Sequence, residues 1–480
     1  MLAWFLSLTM FFQVPGAGNG SVEEYVVEVQ QDTIKSERWV EIDNIVVHGN
    51  KRTRRDIITR EMQLKQGSII FLPDLKEQVE IDRKQIYNTS LFNKVETSIL
   101  ELGQEKVDIV IEVNERWYTF PSPILELADL HFNDWWVNRN HDLSRINYGM
   151  RLYQRNVRGR NETLRVTAQL GYTKKLGLNY VMPYLDKAQH HGLELKSYYT
   201  QNSRTPVFTE NHKRIEVKQD FPIINSSGGG FTYRYRNAVD KYHYLDVGVK
   251  KTVIDDTIRQ VNPQYFSNAK NHQNFFSIAY GFRKDKRDVS AYPLKGYMFD
   301  VSLRKVGLGI FDDVNYASGF MRFAGYLDLG KKFYVANLTA LYGNSTKKIS
   351  YNNYYGLGFG GNFVRGYDLY VIEGPQFFLN KTTFKKLLFS TVAEFNSIPV
   401  DQFKHFPLAI YLKTYFDFGY VKNYDNYLLN TLFTDKLIYG TGVGIDIITA
   451  YDIVMRLEYP LNQVSKEEPK RLSFYLKKEF

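Results

Sequence analysis

Val364-Arg365-Gly366-Tyr367 puts one guanidinium in a short loop between two runs that alternate apolar and polar residues. An arginine on the lipid-facing side of a membrane barrel costs several kcal/mol. Arg365 is therefore expected in a loop turned toward a wet interior, as an internal plug, and the chemistry it offers is charge-assisted pairing with a carboxylate. Two carboxylates qualify. Asp417, in Tyr415-Phe416-Asp417-Phe418-Gly419, falls on the polar side of an alternating strand, and Glu394, in Ala393-Glu394-Phe395, does so one strand earlier. Because such a lumen holds water, breaking the pair is expected to cost less than the roughly 3–5 kcal/mol of a fully buried one.

Catalysis has no comparable constellation. The sequence contains no H-E-x-x-H, no G-x-S-x-G and no P-loop. Gly356-Leu357-Gly358-Phe359-Gly360-Gly361 fits G-x-G-x-x-G literally, but no helix follows to present its N-terminus to a phosphate. Glycines at strand ends instead permit sharp bends and close backbone approach; Gly440-Thr441-Gly442-Val443-Gly444 is expected to leave lumenal space in the same way. His190-His191 is a poor metal site, since adjacent imidazoles on an extended chain point to opposite faces. No enzyme activity, cofactor or metal is expected.

The elements that position Arg365 follow from composition. The chain has 480 residues, with 36 Tyr, 33 Phe and 24% charged residues, and its mean hydropathy is -0.37. Beyond the N-terminus no apolar run reaches the roughly 20 residues of a spanning helix. Yet 15% aromatic is high. A transmembrane barrel reconciles the two, because only alternate residues face lipid and aromatic girdles mark its interfaces. The net charge of +10 arises from 62 basic and 52 acidic residues interspersed along the chain, a pattern that suits anionic lipid head groups better than nucleic acid. The absence of cysteine excludes disulfides and thiolate metal sites.

Residues 1–20, with the apolar run 2–12 and then Val14-Pro15-Gly16-Ala17-Gly18, read as an export signal. Residues 21–38 read as a polar linker. Residues 39–116 form a small α+β unit. A strand at 40–47 ends at His48-Gly49-Asn50, Thr53 caps a helix bearing Ile57, Ile58 and Met62, and Pro73 opens a second helix bearing Leu75, Val79, Ile81, Ile86 and Tyr87. Two strands, 95–100 and 107–113, meet across Gly103. Lys51, Arg52, Arg54, Arg55 and Arg60 lie on the first helix, as a solvated face or as a dock for a partner or head groups.

From residue 117 to 480 strand follows strand. In the last one Phe480, Lys478, Leu476, Phe474 and Leu472 share a face, and Ile453, Met455, Leu457 and Tyr459 alternate with Asp452, Val454, Arg456 and Glu458. Roughly 22 residues per strand with its loop gives about 16 strands, within the range of outer-membrane barrels. The fold class is thus mainly β: an antiparallel transmembrane β-barrel of about 16 strands preceded by one small α+β domain. Closure is expected between the first strand, near Leu125 and Leu127, and the last, with Phe474 and Phe480. Pro121 and Pro123 lack amide donors, so this ladder is short and forms a lateral seam.

The spacing of Ile45-x-Val47-x-Gly49-Asn50, Gly67, Leu91-Phe92-x-x-Val95 and Val110-x-x-Val113-x-Glu115 resembles a POTRA domain, and the remainder resembles the BamA and TamA superfamily, which also holds the two-partner secretion transporters. The motifs carrying the second likeness are Asn156 to Arg160, the V-R-G-Y loop, Glu394 with Pro399, Phe416-Asp417-x-Gly419 and the terminal Phe480. The resemblance implies an outer-membrane barrel with its POTRA in the periplasm, Arg365 reaching Asp417 with Glu394 nearby, and a weak seam. It also implies a role in inserting or translocating unfolded or extended outer-membrane or secreted proteins, with accessory periplasmic or lipoprotein partners and outer-membrane lipids around it. A dedicated two-partner pore and a passive structural barrel are the alternatives, and a single POTRA points to a specialised relative.

Overall fold

A computed structural model describes residues 38–129, 132–186, 188, 190–311, 313–346, 349–394, 405–425, 427–449, 453–461 and 472–478. The expected export signal, most of the linker, Pro399 and Phe480 lie outside the described residues. The N-terminal unit follows the order β1 (Trp39–His48), α1 (Arg55–Thr59), β2 (Ile69–Phe71), α2 (Leu72–Asn88), β3 (Phe92–Leu102) and β4 (Lys106–Glu115). Its sheet runs β2-β1-β4-β3, with β1 parallel to β4. The short strand β2 is the one element that hydropathy alone does not announce, since three residues carry no period. Alternation buries Val107, Ile109 and Ile111 of β4 against Leu75, Val79 and Ile86 of α2. The same face of α2 carries buried Asp82, which accepts amides from Gln63 (2.8 Å) and Leu64 (3.1 Å) and so fixes the chain after α1.

The second unit is one 16-stranded antiparallel sheet. Its strands begin with β5 (Thr119–Leu127), then, after α3 (Phe132–Asn138), β6 (Ile146–Arg155), β7 (Thr163–Gly171), β8 (Thr173–Met182) and β9 (His191–Asn202). A separate hairpin, β10 (Arg204–Glu210) and β11 (Lys213–Lys218), precedes β12 (Ile224–Ala238) and β13 (Lys241–Ile254). After α4 (Asp256–Val261) come β14 (His272–Asp285), β15 (Gly296–Val306), β16 (Tyr316–Gly330) and β17 (Phe333–Asn344). The two-residue strands β18 (Gly356–Leu357) and β19 (Ile372–Glu373) lie in a long loop before β20 (Gln376–Glu394) and β21 (His405–Lys422). The wall ends with β22 (Leu437–Ile448), β23 (Ile453–Pro460) and β24 (Ser473–Lys478).

Period two sorts the two faces. Lys381 and Lys385 of β20, Lys413, Tyr415 and Asp417 of β21, Asp446 of β22 and Glu458 of β23 turn inward, while Phe384, Leu412, Phe416, Val443, Ile445 and Phe474 are exposed on the outside. An apolar outer band over a charged interior is the pattern of a barrel in lipid. Among the described residues no helix is long and apolar enough to cross a membrane.

The expected first-to-last ladder is not seen among the described residues: β5 and β24 are the outer strands of the sheet, and no register joins them there. Pro121 and Pro123 remove two amide donors from β5, and β24 spans six residues. Leu125 and Leu127 stand on the outer face of β5, Leu125 with 78% of its surface exposed. What meets β24 is α3, whose Phe132 ring lies edge-on to Phe474 with centroids 6.4 Å apart.

Candidate functional site in the barrel lumen

The loop between β17 and β20 folds back into the barrel. Its β18–β19 ladder pairs Gly356 with Glu373 and Leu357 with Ile372, so the G-x-G-x-x-G stretch opens a hairpin and cradles no phosphate. Val364, Tyr367, Leu369, Tyr370 and Ile372 pack on Phe377, Leu379, Val421 and Ile438 of the wall. The wall is hollowed to receive them. A Cβ on Gly440 would stand 2.0 Å from the Arg365 carbonyl oxygen, and one on Gly442 would stand 2.4 Å from the Tyr415 hydroxyl. The glycine strand β22 therefore supplies space, and the loop fills it.

Arg365 then meets Asp417 as a bidentate pair. Nε donates to Oδ2 at 2.7 Å and Nη2 to Oδ1 at 2.5 Å. The Arg365 amide adds a third bond to Oδ2 (3.1 Å), and Nη2 also donates to the Thr383 hydroxyl (3.0 Å). The guanidinium lies 3.9 Å from the Tyr415 ring centroid. Asp417 is fully buried and Arg365 is 6% exposed, so the wet-lumen expectation does not hold at this pair. Gly366, with φ of 93°, makes the turn that Tyr367 follows.

Glu394 is corrected. It ends β20, exposed, opposite His405. Eleven residues separate it from Thr383 beside Arg365, roughly 35 Å along a strand. Its polar alternation was sound, but its height on the wall was not legible. Glu458 takes the place, with Oε1 3.6 Å from Arg365 Nη1. Lys413 bridges Glu458 (2.6 Å) to Asp446 (2.5 Å). Lys413 and Asp446 carried no local signal beyond inward parity.

A second junction joins the two units. Glu61 accepts both Arg236 Nη1 and Nη2 at 2.8 Å and the Tyr184 hydroxyl at 3.0 Å. Arg60 donates to the Ala188 carbonyl (2.9 Å), and the Arg54 amide to that of Gly159 (3.0 Å). Of the basic run only Arg55 falls within α1, a helix of five residues; Arg54 and Arg60 flank it, and these two contact the barrel's own turns. Thr53 is not a helix cap, since Arg54 holds the N-cap position of α1. Its hydroxyl instead meets Glu115 (2.6 Å), Tyr118 (2.8 Å) and Asn156 (2.9 Å), tying β4 to the first turn of the barrel.

At the far end, the β10–β11 turn and the plug loop form a cap. Buried Glu373 accepts from Thr209 (3.2 Å) and Tyr427 (3.1 Å). Burial pushes its carboxyl up to about 7, with Arg214 opposing. His212 is held neutral, its Nε2 accepting the Phe433 amide (3.0 Å), and burial lowers it to about 4. A raised carboxyl favours the cap fully below its ordinary value and loses that contribution as pH rises through about 7. The lowered imidazole acts oppositely, weakening the cap as pH falls from about 6.5 toward 4. Hydrogen exchange in residues 349–375, corrected for its intrinsic pH dependence, is expected to be faster at about pH 8 than at about pH 6, by about 1 kcal/mol of opening energy. Glu373→Gln should abolish that difference; an unchanged pH dependence would exclude Glu373 as its source.

A barrel with an inward loop pinned to its wall and a small α+β domain on one rim defines a class of outer-membrane protein. Residues 156–480 match the Omp85 superfamily domain and residues 40–116 the POTRA repeat described as surface antigen variable number repeat. The chain belongs to the Omp85 superfamily, sits in the outer membrane and holds its POTRA in the periplasm. It is 27% identical over 107 residues to the outer membrane protein assembly factor BamA of Nitratidesulfovibrio vulgaris strain Hildenborough, an alignment covering 22% of this chain and 13% of that relative's length. Its fold is similar to BamA from Haemophilus ducreyi lacking POTRA domains 1-3, with a TM-score of 0.50, 15% identity and coverage of 91% of this chain and 84% of that one. CdiB from Escherichia coli is similar at a TM-score of 0.55 and 11% identity, covering 91% and 75%.

Proposed function

We propose that this protein inserts or translocates protein substrates at the outer membrane without nucleotide or cofactor, receiving extended segments on its POTRA and pairing them at the seam between β5 and β24. The observation that carries the reading is the pair of barrel edges that share no ladder among the described residues. Each edge offers backbone groups to an incoming strand, so a client's amides are bonded before they meet lipid. The outer strand β3 of the POTRA sheet runs eleven residues, and strand addition there accepts any sequence. Accessory periplasmic or lipoprotein partners would act on the same face. A lumenal route, as in a dedicated secretion pore or passive barrel, requires the Arg365 loop to leave a wall where it makes a bidentate buried pair.

The sequence has no cysteine, which makes the test clean. Cysteines placed at Leu125 and Phe474 and joined by a short bis-maleimide should leave a folded barrel that no longer assembles clients in reconstituted liposomes. Full activity of the joined protein would move the route into the lumen.

A further inference from the structure

The periplasmic turn between β14 and β15, residues 286–295, also folds into the barrel. Tyr292 is 6% exposed, and its hydroxyl donates to Asp446 Oδ2 at 2.8 Å. Asp446 stands on β22, on a different part of the wall from the strands that carry the turn. The Tyr292 ring meets Tyr411 with centroids 5.0 Å apart, and Lys385 Nζ lies 4.0 Å from its centre. Val454, Leu294 and Tyr334 pack in the same cluster. All the wall residues in it share the inward parity of Asp417 and Glu458, so the contact crosses the lumen.

The turn is internally braced. Arg287 donates to both Asp285 oxygens (2.8 and 2.6 Å) and to the Ser290 carbonyl (3.2 Å), while Asp288 accepts the Leu294 amide (3.0 Å). It is also tied to the POTRA, since Asn88 at the end of α2 donates to the Asp288 carbonyl (3.2 Å). From Asp446 the contacts run on without a gap: to Lys413, to Glu458, to Arg365 and to Asp417.

We propose that residues 286–295 are a second plug, entering from the periplasmic side, latched by Tyr292 on Asp446 and coupled through Lys413 and Glu458 to the Arg365 plug. A buried carboxylate that loses one donor leans harder on the others, so withdrawal of the turn redistributes Lys413 and changes what Glu458 offers Arg365. The Asn88 contact places the POTRA where its displacement would pull on the turn. The plug stands on geometry alone and is independent of what the barrel transports.

Planar bilayers containing the full chain test it. Replacing residues 287–294 by Asn-Gly should raise single-channel conductance severalfold, and Tyr292→Phe should raise the frequency of openings. A shortened variant that still shifts mobility on heating, yet conducts like the parent, overturns the plug. If the shortened chain does not fold, Ala291→Cys decides: the plug requires this 8% exposed position to react with a small charged thiol reagent far more slowly than the unfolded chain, and equal rates overturn it. Coupling requires Tyr292→Phe to speed heat release of the barrel less in an Arg365→Ala background than alone; equal effects in both backgrounds remove the coupling.

Discussion

Arg365→Ala is expected to destabilise the folded barrel by about 3–5 kcal/mol, the cost of leaving a buried carboxylate without its partner. Asp417 has no exposed surface, and two of its bonds come from the guanidinium. The alanine variant keeps only the backbone amide bond. Glu458 also loses one of the cations beside it and keeps Lys413, so the loss extends beyond one pair. The temperature at which an unboiled sample changes mobility in detergent electrophoresis should fall accordingly. Arg365→Lys should recover part of it, since a single ammonium cannot reproduce the fork. The exchanged pair, Arg365→Asp with Asp417→Arg, should recover none. It sets a carboxylate against Glu458 and a guanidinium beside Lys381, which pairs across from position 417. Recovery to near the parent stability would mean that charge complementarity alone holds the loop.

Glu61→Ala is the second large effect, about 3 kcal/mol against the junction between the POTRA and the barrel. Arg236 has an 11% exposed side chain and meets Glu61 through two nitrogens. Without the carboxylate it stays buried beside Arg60, with the Tyr184 hydroxyl also losing its acceptor. Limited proteolysis should release residues 38–116 much faster, while the heat transition of the barrel moves less than for Arg365→Ala. Arg236→Ala should act alike, and the double variant should be scarcely worse than either single one. Additive losses would show that the two residues stabilise the junction separately.

Strand after strand was legible because inward and outward positions alternate strictly, as in Ile453 to Tyr459, and the lipid face tolerates few charges. That Arg365 turns inward was legible for the same reason, since an isolated arginine in a glycine-flanked loop has few places to go in a barrel; the choice of Asp417 as its partner came with the family resemblance. The POTRA helices were legible from their apolar spacing, apart from β2, too short to show a period.

Partner choice among inward charges was not. Glu394 and Glu458 look alike in sequence, both carboxylates on alternating strands. Only the stagger of the strands sets Glu458 at the height of Arg365 and carries Glu394 roughly 35 Å down a long hairpin. Thr53 reads as a cap because a hydroxyl before a helix usually finds an amide. Here the first barrel turn offers Asn156, and β4 offers Glu115. Tyr292 reads as an aromatic in a turn, and nothing within the turn points to Asp446, 154 residues away. Alternation is a property of one strand and survives in any register; height and opposition belong to the assembled wall, where the registers of successive strands add before two side chains meet.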